Sequence, residues 1–250
     1  MSSAAARLCF LCGFRVVVLE QDPPQAVRRR VCFAEAVLSG SSEVEGVRGE
    51  KVALERLSAA RPAFVEVAID PDGRAIRLLR PDVLVDGRMT KRDNDTRRQQ
   101  APVVIGLGPG FEAGQHVHAV VETQRGPSLG RVIWLGGAEA DTRVPSSVLG
   151  VTEARVLRAP AGGTFHSHRA IGDVVAADDV VGDVDGVPVR AGVGGLVRGL
   201  VADGVSLRDG TKLGDIDPRG RAVDPAAISE KARAVAAGVL EAILTASAHV

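Results

Sequence analysis

The sequence predicts an α/β half with a parallel sheet, then a mostly β region, then one closing helix. Three observations lead there. Short apolar runs alternate with helical patterns up to about residue 157. From 158 to 222 the chain turns dense in glycine, valine and aspartate, with no helical period. From 223 to 250 a single apolar stripe returns at three- and four-residue steps. Strands that alternate with helices argue a parallel sheet, and these three stretches are read as three domains: 1–157, 158–222 and 223–250.

Ala4 to Phe14 reads as the end of a helix stopped by Gly13. Arg15 to Glu20 follows as an apolar run with an acidic end, the pattern of a buried parallel strand. Helix, buried strand and acidic residue make the second half of a βαβ unit. The sheet is therefore expected to be Rossmann-like with its first strand missing: either the fold begins without that strand and its glycine turn, or the two lie upstream of Met1. Arg28, Arg29 and Arg30 precede a short helical pattern that ends at Gly40. Glu50 to Ala60 reads as an amphipathic helix carrying Val52, Leu54 and Leu57. Strands are expected at Phe64 to Ile69, Val83 to Val85, Val103 to Ile105, His116 to Glu122 and Arg131 to Leu135. Thr90 to Gln100 is almost wholly polar and reads as a surface loop.

In the β region, Gly172 to Val184 runs parallel to Asp203 to Ile216. Each has a glycine, a short β pair, a turn, an apolar pair and then Gly-Asp. A hairpin across Val184 to Val189 would join them, giving a domain like the barrel-sandwich hybrid of biotinyl and lipoyl proteins. Neither copy can bury its apolar face alone, so the two must pack together. Asp224 as N-cap and Pro225 at the first helical position open the last helix, with Ile228, Ala232, Val235, Val239 and Ile243 on one face.

Composition narrows the function. The 250 residues carry 31 basic and 31 acidic side chains, so no net charge draws the chain to nucleic acid or an anionic membrane. Hydrophobic residues at 45 % and charged residues at 25 % are a globular balance. Three cysteines cannot make a disulfide framework, which suits a reduced, cytoplasmic chain. Arg7 and Arg15 interrupt the first apolar stretch where a signal peptide would be uncharged, and no apolar run reaches the roughly 20 residues of a membrane span.

Several groups stand out as chemistry-bearing. Glu20 sits at a strand end, where an acidic residue can hold a ribose hydroxyl or lie solvated. Gly106-Leu107-Gly108-Pro109-Gly110 follows a strand, the place for a phosphate-binding turn, but lacks the lysine of a P-loop and has a proline where a donor would be. It is either an anion site or a tight structural turn. The arginine cluster fits an anionic ligand or a solvated face. His116 with His118, and His166 with His168, could each form half a metal site, though scattered surface histidines are the plainer reading, and no metal is expected. Cys9 and Cys12 lie in an apolar helix and read as buried thiols. Asp215 and Asp217 share a strand face beside Arg219, suiting a hard cation or a salt-bridged turn.

Taken in order, Val17 to Glu20, Val27-Arg28-Arg29, Pro81-Asp82-Val83, the glycine turn with Phe111, Glu122-Thr123-x-Arg125-Gly126, Leu129-Gly130 and Lys212-x-Gly214-Asp215-Ile216-Asp217-Pro218-Arg219 resemble the YqeB-type accessory proteins of the selenium-dependent molybdenum hydroxylase system. The resemblance implies a maturation role for a molybdenum hydroxylase client. The residues add an anionic ligand, a nucleotide or the molybdenum cofactor, expected in the α/β half with its phosphate on the glycine turn, Arg28, Arg29 and Arg125 and with Asp86 and Glu122 orienting polar groups. The matching positions are Arg28, Arg29, Asp86, Lys91, Gly106, Gly108, Gly110, Glu122, Arg125, Gly126, Lys212, Asp215, Asp217 and Arg219. Two alternatives stand beside it: a non-catalytic scaffold for the client, and an enzyme acting on the nucleotide or on selenium delivery. The sequence argues against the hydroxylase itself: such enzymes are larger and carry iron–sulfur clusters, one cluster needs about four cysteine ligands, and the chain has three cysteines. A swinging-arm carrier is disfavoured, because the hairpin tip is Asp185-Gly186 and the nearest lysine, Lys212, lies in the second repeat.

Overall fold

The computed structural model describes residues 1–57, 60–90, 95–142 and 144–247. It is a mixed α/β chain with several sheets, a long C-terminal helix and, among the described residues, no closed barrel. Two compact units form, each built from separate stretches: Met1–Leu19, Val47–Thr142 and Ile228–Val250 in the first, Glu20–Gly46 and Arg143–Ala227 in the second. The units are not consecutive along the chain, as three linear domains would be: the C-terminal helix belongs to the first unit and the arginine-rich segment to the second.

The first unit carries a sheet in the order Val83–Asp86, Val103–Leu107, Ala119–Val121, Val132–Ile133. The first three strands are parallel and the last antiparallel. Every residue of Val103–Leu107 is buried, which is why the segment reads as a continuous apolar run rather than an alternating one. The C-terminal helix, Glu230–Ser247, packs on the last three strands and on the N-terminal helix Ser2–Leu11. Its expected stripe is buried, with Val235 and Val239 at 0 % exposure. Close approach is made possible by glycine: a Cβ on Gly130 would lie 2.6 Å from the carbonyl oxygen of Ala234.

The helix starts later than expected. The Asp224 carboxylate takes the N–H of Ala226 at 2.8 Å, and the Asp224 carbonyl takes that of Ala227 at 3.3 Å, so Asp224-Pro225 closes a turn of its own. Ser229 is the cap instead, accepting the N–H of Ala232 on Oγ at 3.2 Å.

A second correction concerns the helix expected at 50–60. Val47–Lys51 is a strand, parallel to Val65–Ile69, and only Leu54–Arg56 turns, as one 3-10 turn. Residues 58 and 59 lie outside the described residues. Val47 and Gly49 are buried and Arg48 is not, a period of two that outweighs the spacing of Val52, Leu54 and Leu57. The N–H of Val52 donates to Val67 O at 2.8 Å and extends the ladder.

The second unit holds two four-stranded antiparallel sheets. One runs Val156–Arg158, Lys212–Asp217, Gly195–Leu200, Val174–Val175; the other runs Val187–Arg190, Val180–Val184, Gly163–Ser167, Ser206–Leu207. The two sequence repeats exchange strands. The short Val174–Val175 strand of the first copy edges the sheet that carries the long Lys212–Asp217 strand of the second. Ser206–Leu207 does the reverse, beside Gly163–Ser167. Leu157, Phe165, Val181, Val197, Leu213 and Ile216 fill one core shared by both sheets. The expected hairpin is present: Asp185 and Gly186 both have positive φ, 47° and 85°, which suits the turn between right-twisted strands.

Candidate functional site: a cationic cluster

The cluster grows from the edge of the sheet that holds Gly195–Leu200. Val27 O accepts the N–H of Leu200 at 2.8 Å, which lays the arginine-rich segment along that strand. Arg29 then fixes the segment: its Nε donates to Leu200 O at 3.0 Å and its Nη1 donates to both carboxylate oxygens of Glu35, at 2.9 and 3.1 Å. Arg29 is thereby a structural clamp. Arg28 extends over Gly199, where a Cβ would lie 2.8 Å from Arg28 Cδ and 2.6 Å from Asp215 Oδ1. Only a glycine leaves room for both groups.

Lys212, Asp215 and Asp217 come from the neighbouring strand, and two arginines without a sequence motif complete the group. Arg155 lies with Nη1 3.6 Å from Asp215 Oδ2 and is held by two donations to Ser146 O, at 3.1 and 2.8 Å. Arg198 occupies a β-bulge, since the register passes from Val197↔Ile216 to Gly199↔Asp215 and leaves Arg198 unopposed. A bulge re-aims its side chain, here placing Nη1 3.1 Å from Asp217 Oδ2. Arg219 Nε and Nη2 grip the same carboxylate at 2.9 and 2.7 Å. Those hydrogen bonds hold the Asp217 carboxyl below the usual range, against burial.

Five cationic side chains thus surround two buried carboxylates. Three nitrogens among them, Arg28 Nε, Arg28 Nη2 and Arg198 Nε, are buried with no hydrogen-bond partner among the described residues. Burial first, and then the charge of Arg198, lower the Arg28 value, while Asp215 and Asp217 oppose; a guanidinium keeps its charge regardless. Lys212 is lowered by crowding around its ammonium first, then by Arg155, Arg28 and Arg158, with Asp215 opposing. The residue as a whole is nonetheless exposed. What the arrangement can do is accept oxygen atoms of a multiply charged anion, because guanidinium forks and an ammonium are the donors such oxygens take.

The other candidate positions are engaged differently. Glu20 closes the Val17–Glu20 strand; burial raises its carboxyl, and its Oε1 accepts the N–H of Gln21 at 3.0 Å. Asp86, Gly106, Gly108, Gly110, Glu122, Arg125 and Gly126 belong to the first unit. Burial alone would raise Asp86, but donations from Arg88 Nη2 at 2.7 Å and Thr96 Oγ1 at 2.6 Å outweigh it and hold the carboxyl below its ordinary value. Glu122, 1 % exposed, accepts backbone N–H groups of Gln124 and Glu139 at 2.6 and 2.7 Å, which ties two loops together. Arg125 faces Glu230 at 3.8 Å, both well exposed. In the glycine turn, the Phe111 ring occupies the place a Cβ of Gly106 would take, and Thr123 crowds Gly108, whose φ is 75°. Gly110 and Gly126 also have positive φ, 104° and 146°. Lys91 lies outside the described residues.

Among the described residues no group of three or more metal-ligating side chains converges. His168 Nε2 meets Asp183 Oδ2 at 2.9 Å, and burial, with Cys12 adding to it, pushes the Cys9 thiol up to about 11. No helix among the described residues is long and apolar enough to cross a membrane.

No family model matches the chain. One curated protein, from Escherichia coli (strain K12), is 41 % identical over 246 residues, 98 % of this chain. That relative is the uncharacterized protein YqeB. The identity supports the YqeB resemblance read from the motifs. The chain spans 46 % of the length of YqeB, so it corresponds to about half of that protein. Two solved structures share a partial likeness. One is an aspartoacylase family protein from Mesorhizobium loti, 18 % identical over 33 % of this chain and 27 % of that one, TM-score 0.24. The other is the ectoine utilization protein EutE from Ruegeria pomeroyi, 19 % identical over 34 % and 27 %, TM-score 0.24. At those scores neither carries an argument.

Proposed function

We propose that this chain is an accessory protein of a selenium-dependent molybdenum hydroxylase system, and that it binds a phosphorylated small molecule, a nucleotide or a molybdenum-cofactor-like compound, at the Arg28–Lys212 cluster. The resemblance to YqeB-type proteins supplies the system and the client enzyme as partner. The observation that carries the ligand is the half-buried Arg28 side chain, whose Nε and Nη2 are buried with no partner among the described residues. A buried donor left unmade costs about 1–3 kcal/mol, and an anion's oxygens are what would recover it. The cationic excess over Asp215 and Asp217 favours an anion of more than one charge, which a phosphate or diphosphate group supplies and a single carboxylate does not.

In this reading Arg28 and Lys212 contact the ligand. Arg155 and Arg198 add field, and Arg29, Arg219, Asp215 and Asp217 hold the cluster in place. Calorimetric titration with inorganic pyrophosphate and with ADP tests it. Binding is expected in the intact protein, weakened about tenfold or more by Arg28→Gln and by Lys212→Gln, the loss of one charge-assisted contact each. No binding in the intact protein, or equal binding in both variants, would refute the site. Co-purification of a hydroxylase client that survives both substitutions would favour the scaffold reading.

A further inference from the structure

The first unit contains a cavity of about 400 Å³, separate from the cluster above, walled by Arg98, Pro102, Val103, His118, Trp134 and Ala246. Most of that wall is apolar. Trp134 is the only tryptophan in the chain and is 42 % exposed, a large flat surface open to solvent.

Two polar groups define the rest. Arg98 is held by a donation from Nη1 to Gly114 O at 2.8 Å, which leaves other donors of its fork available to a ligand. His118 accepts the backbone N–H of Val104 on Nδ1 at 2.9 Å. A backbone amide can only donate, so Nδ1 carries the lone pair and the ring proton sits on Nε2. Burial, and then the charge of Arg98, both lower the His118 value and keep the ring neutral. The histidine is thus fixed as a donor through Nε2–H, beside a guanidinium. Apolar and aromatic walls with a few convergent polar groups are how small-molecule sites are built, and an indole face favours a flat ring.

We propose that this cavity binds an aromatic carboxylate, its ring against Trp134, Pro102 and Val103 and its carboxylate directed to Arg98 and to Nε2–H of His118. The inference stands independently of the anion site in the second unit.

Trp134 reports on its own cavity. Benzoate is the probe, followed by tryptophan fluorescence and by calorimetry on the full chain. A saturable change in emission is expected, with a dissociation constant of about 1 mM. Arg98→Gln should weaken it about tenfold, and Arg98→Lys should recover part of the loss. Cyclohexanecarboxylate, with the same charge and no flat ring, should bind about tenfold more weakly than benzoate. Saturating pyrophosphate, the probe of the cationic cluster, should leave the benzoate curve unchanged. Circular dichroism checks that each variant folds. No saturable emission change, an Arg98→Gln curve equal to that of the parent, equal affinity for the two carboxylates, or displacement by pyrophosphate would overturn the proposal.

Discussion

Replacing Arg28 by methionine should move stability and ligand response in opposite directions. The stem of Arg28 packs across Gly199, and methionine preserves that apolar contact with an adaptable side chain. What is removed is a guanidinium whose Nε and Nη2 are buried with no partner among the described residues. Leaving a buried donor unsatisfied costs about 1–3 kcal/mol, and removing one charge of a buried group is costly only where it strands the opposite charge. Asp215 keeps Arg155 at 3.6 Å, so the carboxylate is not stranded. In the absence of anion, Arg28→Met is therefore expected to be neutral or stabilising by about 1–2 kcal/mol, which for a chain of this size raises Tm by about 2–8 °C. In pyrophosphate the order reverses, because the parent gains stability by binding and the variant does not. Thermal unfolding with and without pyrophosphate reads both effects. If Arg28→Met lowered the anion-free Tm by several degrees and kept the pyrophosphate-induced rise, the guanidinium would be a structural group and the reasoning would fail.

Three further outcomes follow from the same geometry. Gly199→Ala should press a methyl into Arg28 Cδ and Asp215 Oδ1, lowering stability by about 1–3 kcal/mol and weakening pyrophosphate binding, measured by urea unfolding and calorimetry. Ser229→Ala should cost about 1 kcal/mol through loss of the helix cap, whereas Asp224→Ala should cost less, since Asp224 serves an exposed turn; urea midpoints of the two compare them. Asp86 has a folded value below its unfolded one, so its stabilising contribution is present above the unfolded carboxylate value of about 3.9 and is lost as pH falls through the folded value. Asp86→Asn should flatten the acid limb of a stability-versus-pH curve, and an unchanged limb would show that Asp86 does not contribute.

Elements whose pattern admits one period were legible in the sequence. Val103–Leu107 is apolar throughout and buried throughout. The stripe through Val235 and Val239 faces the core as its spacing requires. Asp185-Gly186 marks its hairpin because both positions need positive φ. Segments that satisfy two patterns were not. Val47 to Leu57 alternates at its start and has helical spacing at its end, and pairing with Val65–Ile69 decided for the strand. Asp224-Pro225 is as good a turn as a helix start. The site divides the same way. Arg28 and the Lys212–Arg219 string were visible as motifs, but the chain gives no sign that they meet. Arg155 is one arginine among many, and the role of Arg198 comes from a bulge at Val197/Gly199 that depends on register rather than on residue type.

The most direct test is a crystal structure of the intact chain grown with pyrophosphate. The proposed site predicts anion oxygens within hydrogen-bond distance of Arg28 Nη2 and of the Lys212 ammonium. Pyrophosphate held elsewhere, with Arg28 Nε and Nη2 as they are without it, would contradict it.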